Sequence, residues 1–229
     1  MSGAGAAGMK PRLTLFDLDH TLLTADSDVL WCEFLMDEGV LERASFAARN
    51  ADMEARYKAG TVGVAEFAGF YVSTLAGQSP AQWQPLRERF LQEVIVPCVA
   101  PRAPALVREH LEAGDLVVLT TATNRFITEL TAGHFGIEHL IATECELKDG
   151  VFTGQTEGVH NMREGKVTRL LDWLAGRGLA LDAFHSTAYS DSINDLALLG
   201  AAAVAVAVDP EPRLAAAAAE RGWRVLSLR

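Results

Sequence analysis

The sequence predicts an α/β fold in which a doubly wound, Rossmann-like parallel sheet carries an inserted helical block. Three observations point there. From residue 98 onward, short β-prone runs alternate with helical stretches, the rhythm of a parallel sheet covered by helices on both faces. A single further run of the same kind, Arg12–Phe16, stands near the start. Between it and the next run, residues 25–97 hold helical periodicity throughout, carried by Leu30, Phe34, Leu35, Phe46, Tyr57, Phe67, Phe70 and Leu75.

Arg12–Phe16 is short, β-prone and ends in a polar cluster, so it reads as a buried strand. The helical block follows, punctuated by Gly60-Thr61 and Gln78-Ser79-Pro80 and closed by Val96-Pro97. Two units are expected: a core from residues 1–24 and 98–229, and the helical block over 25–97. Arg102–Ala113 is a helix that Gly114 stops. Leu116–Thr121 is the second strand, Asn124–His134 a helix, and His139–Thr143 the third strand. Glu144–Gly158 reads as a hairpin turning at Lys148-Asp149-Gly150. Arg163–Ala175 is an amphipathic helix ending at Gly176, Phe184–Ser190 the fourth strand, and Asp195–Leu199 helical. Ala202–Val208 is the fifth strand, Pro210–Arg221 an Ala-rich helix, and Trp223–Leu228 a final edge strand.

The 20 Lys plus Arg against 30 Asp plus Glu leave a net charge of −10. That balance excludes a general footprint for a nucleic-acid backbone or an anionic membrane. A phosphorylated ligand would need local positive charge from a metal, a lysine or helix N-termini. The longest strongly apolar run, Ala201–Val208, falls far short of the ~20 residues that span a bilayer. Met1–Lys10 is Gly/Ala-rich without the charged and apolar segments of a signal peptide, and reads as a tail. Cys32, Cys98 and Cys145 are odd in number, widely spaced and without a CxxC, which fits a reducing cytoplasm.

Chemistry concentrates at Phe16-Asp17-Leu18-Asp19-His20-Thr21-Leu22-Leu23. A strand runs directly into two aspartates at i and i+2, at the carboxyl edge where doubly wound folds bind ligands. Carboxylates this close repel unless a cation lies between them or one holds a proton. An ionised Asp17 is a nucleophile, and Asp19 a proton donor and acceptor. Taken alone, the pair better suits an Asp-capped strand end with Asp19 as an N-cap or turn residue. Lysine is scarce: Lys10, Lys58, Lys148 and Lys166 are the only four. Lys148 sits on the hairpin turn, a solvated position. Lys166 lies at a helix start, where the helix dipole disfavours a cation, so a functional reason is the better one. The six histidines show no ligand spacing; His20 lies inside the motif, and the other five read as surface or core.

This stretch resembles the first motif, DxDx[TV], of the haloacid dehalogenase superfamily, and three further stretches match in order. Thr120-Thr121-Ala122-Thr123-Asn124 resembles the second motif, Lys166 the third-motif lysine, and Ser190-Asp191-Ser192-Ile193-Asn194-Asp195 the acidic fourth. The resemblance implies that residues 25–97 are a C1 cap. It implies Asp17 as nucleophile forming an aspartyl phosphate and Asp19 as acid and base. The Thr121 hydroxyl, the Ala122 amide and Lys166 would hold the phosphoryl group. Mg²⁺ would be held by Asp17, the Asp19 carbonyl and Asp191. Asp195 would orient Lys166 or a metal-bound water, while Asn194 is either a support for Asp191 or a helix-start residue.

Within the superfamily the chain looks like the phosphoserine-phosphatase-like branch, subfamily IB. Phosphoserine phosphatases carry Ser-Gly-Gly at the second motif, where this chain has Thr121-Ala122-Thr123. Their cap arginine for the substrate carboxylate falls at Gly69, and their amine-binding acid at Asp26. The expected substrate is therefore a small phosphate ester bearing an amine and no carboxylate, histidinol phosphate being favoured. Phosphoserine hydrolysis and phosphoryl transfer to an alcohol are the alternatives, and a silent binding protein on the same fold is the alternative from another class. In the cap, Trp31, Arg49, Arg56 and Tyr57 are placed where they could face the substrate, but each reads better as a packing or surface residue.

Overall fold

A computed structural model describes residues 10–229. The tail expected over residues 1–10 lies, apart from Lys10, outside them. The strands are β1 (Arg12–Phe16), β2 (Leu116–Asn124), β3 (His139–Lys148), β4 (Val151–Glu157), β5 (His185–Ser190), β6 (Val204–Val208) and β7 (Arg224–Leu226). They form one sheet in the order β4-β3-β2-β1-β5-β6-β7, parallel at every pairing except β3 with β4.

Strand β1 is central and buried on both faces, which is why it reads as an almost continuous apolar run. Its alternation splits the core in two. Leu13 and Leu15 face α7 (Glu164–Ala175), α8 (Leu196–Ala201) and α9 (Pro212–Arg221), packing with Leu170, Leu198 and Leu214. Phe16 faces α5 (Ala103–Glu112) and α6 (Arg125–His134), packing with Val107 and Phe126.

Strands β5, β6 and β7 begin one or two residues later than expected and β7 ends two earlier, while β2 and β3 run well beyond expectation. Strand β2 runs on to Asn124, and its pairing with β3 slips between Thr120 and Asn124. Asn124 ends the strand and caps α6, its side chain accepting from the Ile127 amide. The third strand and the first hairpin arm are one strand, β3, which pairs with β2 in its first half and β4 in its second. Asp149 and Gly150 both take positive φ, the requirement of a type I′ turn. Helix α9 begins at Pro212 rather than Pro210, because proline suits the first helical position.

Between β1 and α5 lie α1 (Ser27–Asp37), α2 (Arg43–Lys58), α3 (Val64–Val72) and α4 (Pro80–Phe90). The chain leaves and returns side by side: Leu23 pairs with Val99 as an isolated bridge, and the Thr24 amide donates to Cys98. Ser79 and Gln82 close a capping box at the start of α4. Trp31 of α1 packs on Phe90 and Trp83 of α4, with ring centroids 5.0 and 5.8 Å apart, within the same core as Phe16. Helices α2 and α3 have a core of their own around Phe46, Met53, Phe67 and Tyr71. Among the described residues no helix is long and apolar enough to cross a membrane, and the three cysteines are free.

Candidate active site

Strand order reverses at β1, with β2 on one side and β5 on the other, so a crevice opens at its carboxyl end. Asp17 follows β1 there, its amide donating to Tyr189 at 3.0 Å. The chain then tightens into a turn, with the amides of Thr21, Leu22 and Leu23 all directed at the Leu18 carbonyl. This turn brings the Thr21 hydroxyl 2.9 Å from Asp17 Oδ2 and 3.1 Å from Asp191 Oδ1. Thr21 in turn accepts from the Asp191 amide, so one hydroxyl joins the acids that end β1 and β5.

Lys166, 2% exposed, reaches this point from α7. Its Nζ lies 2.7 Å from Asp17 Oδ1 and 2.6 Å from Asp195 Oδ2. Ser190 donates to the same Asp195 oxygen at 2.8 Å. Burial alone would push Lys166 down, but the charges of Asp17 and Asp195 hold it above the usual lysine range. Asp191 is pushed well above the carboxylate range by burial and then by Asp17 and Asp195. The cluster is therefore rich in negative charge around a single fixed ammonium.

The Asp19 carboxylate lines the same cleft with partners of its own. It accepts from the Ser27 amide and the Thr123 hydroxyl, both at 2.8 Å, tying the start of α1 to β2. Thr121 is fully buried; its hydroxyl is 3.5 Å from Asp19 and accepts from the Thr123 amide. Ala122 and Thr123 form the cleft surface at this strand. Asn161 bridges β2 and β3 where their pairing slips, its amide nitrogen donating to the Thr120 hydroxyl and to the Thr121 and Ile141 carbonyls.

The cleft has a volume of about 390 Å³. Asp17, Asp19, Asp191, Asn194 and Asp195 line it from the sheet side. The helical block contributes Asp26, Tyr57, Lys58 and Phe67. Asp26 is 7% exposed and also the N-cap of α1, its Oδ1 accepting from the Val29 amide. Burial and the neighbouring Asp19 raise it to about 7. Tyr57 corrects the packing-or-surface expectation: it stacks on Phe67 at 4.4 Å and lines the cleft, with Asn194 beside its hydroxyl. Arg49 and Arg56 are elsewhere, in a shallow groove with Asp52, Glu66 and Phe70. Gly69 does not line the cleft, and a side chain there would meet open space. Thr123, Phe67 and Ser190 are site residues to which the sequence alone gave no role; Thr123 and Ser190 stood inside the second- and fourth-motif stretches, and Phe67 showed only helical periodicity.

Gly165 precedes Lys166, and a Cβ there would stand 2.1 Å from the His160 carbonyl oxygen. Gly165→Ala should therefore displace the start of α7, lowering stability by roughly 1–3 kcal/mol or more and activity with it. Thermal unfolding and turnover measured together check this.

Comparison with known proteins gives the same reading. The profile of the haloacid dehalogenase-like hydrolases matches residues 14–200. The chain is 37% identical over 220 residues to a histidinol-phosphatase of Neisseria meningitidis serogroup C, covering 95% of this chain and 99% of that one. A solved protein of unknown function from Bordetella pertussis Tohama I is 46% identical with a TM-score of 0.92, covering 96% and 100% of the two chains. A phospho-aspartyl intermediate analogue of phosphoserine phosphatase shares the fold, with a TM-score of 0.68 at 19% identity and coverage of 96% and 94%. The four ordered motifs, the carboxylates they gather beyond β1 and β5, and these likenesses lead to one assignment: the chain belongs to the haloacid dehalogenase-like hydrolase family and is one of its phosphatases.

Proposed function

We propose that this phosphatase hydrolyses a small phosphate monoester through an aspartyl phosphate on Asp17, with histidinol phosphate as the favoured substrate and Mg²⁺ as cofactor. The observation that carries the chemistry is the clamp of Lys166 between Asp17 and Asp195 at the head of the cleft. An Asp17 oxygen attacks phosphorus while the P–O bond to the leaving alcohol breaks. Asp19 gives its proton to the departing alkoxide. It then takes a proton from the water that cleaves the acyl phosphate, which frees phosphate and restores Asp17. Lys166, the Thr121 hydroxyl and the Ala122 amide offset the charge of the transferring group. Residues 25–97 act as a cap that excludes bulk water and large phosphoproteins.

The donor set suits Mg²⁺, a hard ion that takes oxygen ligands and keeps several waters. Asp17, Asp191 and the Asp19 carbonyl would hold it. Among the described residues no group of three or more His, Cys, Asp or Glu side chains is placed to hold a metal ion; the side-chain share proposed for the site is Asp17 and Asp191, which the Thr21 hydroxyl joins. Bound there, Mg²⁺ would neutralise charge on the phosphoryl oxygens. Turnover of p-nitrophenyl phosphate is expected with Mg²⁺, lost in EDTA and restored by added Mg²⁺. Turnover indifferent to EDTA would remove the metal from the account.

Two observations support the substrate. The relative that is 37% identical is named a histidinol-phosphatase. Asp26 offers a carboxylate on the cleft wall for an ammonium, while the cations lining the cleft, Lys58 and Arg229, stand beside Glu54 and Asp209. Because Asp26 titrates near 7, its charge is lost as pH falls through that value. The kcat/KM for histidinol phosphate should fall there relative to Asp26→Asn, and this ratio cancels the titration of the substrate itself. Stability moves the other way. The folded value exceeds the unfolded 3.8, so ionising Asp26 weakens the fold as pH rises from about 4 to 7. Asparagine keeps the cap, so Asp26→Asn should be more stable by ~1–4 kcal/mol above pH 7 and equal near pH 4. Thermal unfolding at both pH values checks it.

A further inference from the structure

We propose that Arg163 is a positioning residue whose guanidinium pins the corner between α2 and α3 against the Asn194 turn, fixing the wall of the cleft that faces Asp17. Arg163 has φ 54° and ψ −127°. The Gly165 amide donates to the Met162 carbonyl, so residues 162–165 form a β-turn with Arg163 at its first corner. Those dihedrals belong to a type II′ turn, whose first corner is ordinarily glycine because an L side chain is disfavoured there. An arginine in a glycine position calls for a reason in its side chain.

The side chain supplies one. Arg163 Nε lies 3.4 Å from Asn194 Oδ1, and Nη2 lies 3.4 Å from the Val62 carbonyl. The first acceptor belongs to the turn that carries Asp191 and Asp195; the second belongs to the loop joining α2 to α3. That loop is flanked by Tyr57, Lys58 and Phe67, the residues through which α2 and α3 line the cleft. Among the described residues Arg163 pairs with no carboxylate, although the chain is strongly acidic. A planar fork with two directed donor sites can bridge two neutral acceptors at once; a lysine ammonium is not preorganised to do so. The inference rests on phosphatase activity and not on which ester is the substrate.

Arg163→Gly separates the two roles of the residue, since it relieves the corner and removes the fork. The expected result is a thermal midpoint at or above that of the wild type. KM for p-nitrophenyl phosphate should rise about fivefold or more with a smaller change in kcat. Hydrogen exchange should be faster at the amides of residues 60–64, with α7 still protected. Arg163→Ala should show the same KM and exchange with a lower midpoint than Arg163→Gly, because the strained corner remains. Arg163→Lys should recover part of the KM loss at most. The proposal fails if Arg163→Gly keeps KM within about twofold of the wild type, if exchange over 60–64 is unchanged, or if its midpoint falls below that of Arg163→Ala.

Discussion

Asp17→Asn is expected to abolish turnover, lowering kcat by on the order of 10⁴-fold or more, while the protein stays folded. The amide keeps the shape of the carboxylate but is not a nucleophile. Its remaining oxygen can still accept from Lys166 or Thr21, and the backbone bond to Tyr189 is untouched. Lys166 retains Asp195 as its counter-charge, and Asp191 loses a like charge beside it. The thermal midpoint should therefore hold or rise. Circular dichroism, thermal unfolding and turnover on the same preparation test this; near-normal activity in the variant would remove Asp17 as the nucleophile.

Lys166→Ala should harm both stability and catalysis, whereas Lys148→Ala should harm neither. Deleting the Lys166 ammonium leaves Asp17 and Asp195 buried side by side without a cation, a loss of roughly 3–5 kcal/mol for a buried ion pair. Removing a fixed positive charge from the phosphoryl site adds a rate loss of on the order of 10²–10³-fold. Lys148 is exposed on the turn between β3 and β4, so its removal should stay within about 0.5 kcal/mol. Lys166→Met, which keeps the apolar stem, distinguishes lost charge from lost packing. Equal effects at positions 148 and 166 would contradict the placement of the ammonium.

The sheet was legible because its central parallel strands are buried on both faces. Leu13, Leu15 and Phe16 appear as a short apolar run that ends in acid, and Val204–Val208 as another. The extension of β2 beyond Thr121 was not, since Ala122-Thr123-Asn124 lacks the apolar character that marks a buried strand. The continuity of β3 was hidden for a related reason: its partner changes midway, from a buried parallel neighbour to a hairpin arm.

At the candidate site, the acids were visible because strand ends concentrate them, and Lys166 because lysine is rare in this chain. Phe67 was not, and Tyr57 stood only among several cap residues that could face the substrate, because an aromatic at helical spacing signals packing; here the two rings pack on each other and line the cleft as well. Arg163 carries no sequence signal, since its importance lies in a backbone corner that only the fold creates.

The measurement that tests the account most directly is kcat/KM for histidinol phosphate and phosphoserine, side by side on the wild-type enzyme with Mg²⁺. Asp26 provides for an ammonium, and the cations lining the cleft are matched by acids, so a substrate carboxylate would lose its water without gaining a partner. The account predicts that histidinol phosphate is preferred by about tenfold or more, the worth of one sheltered charge-assisted pair. Faster turnover of phosphoserine would contradict it.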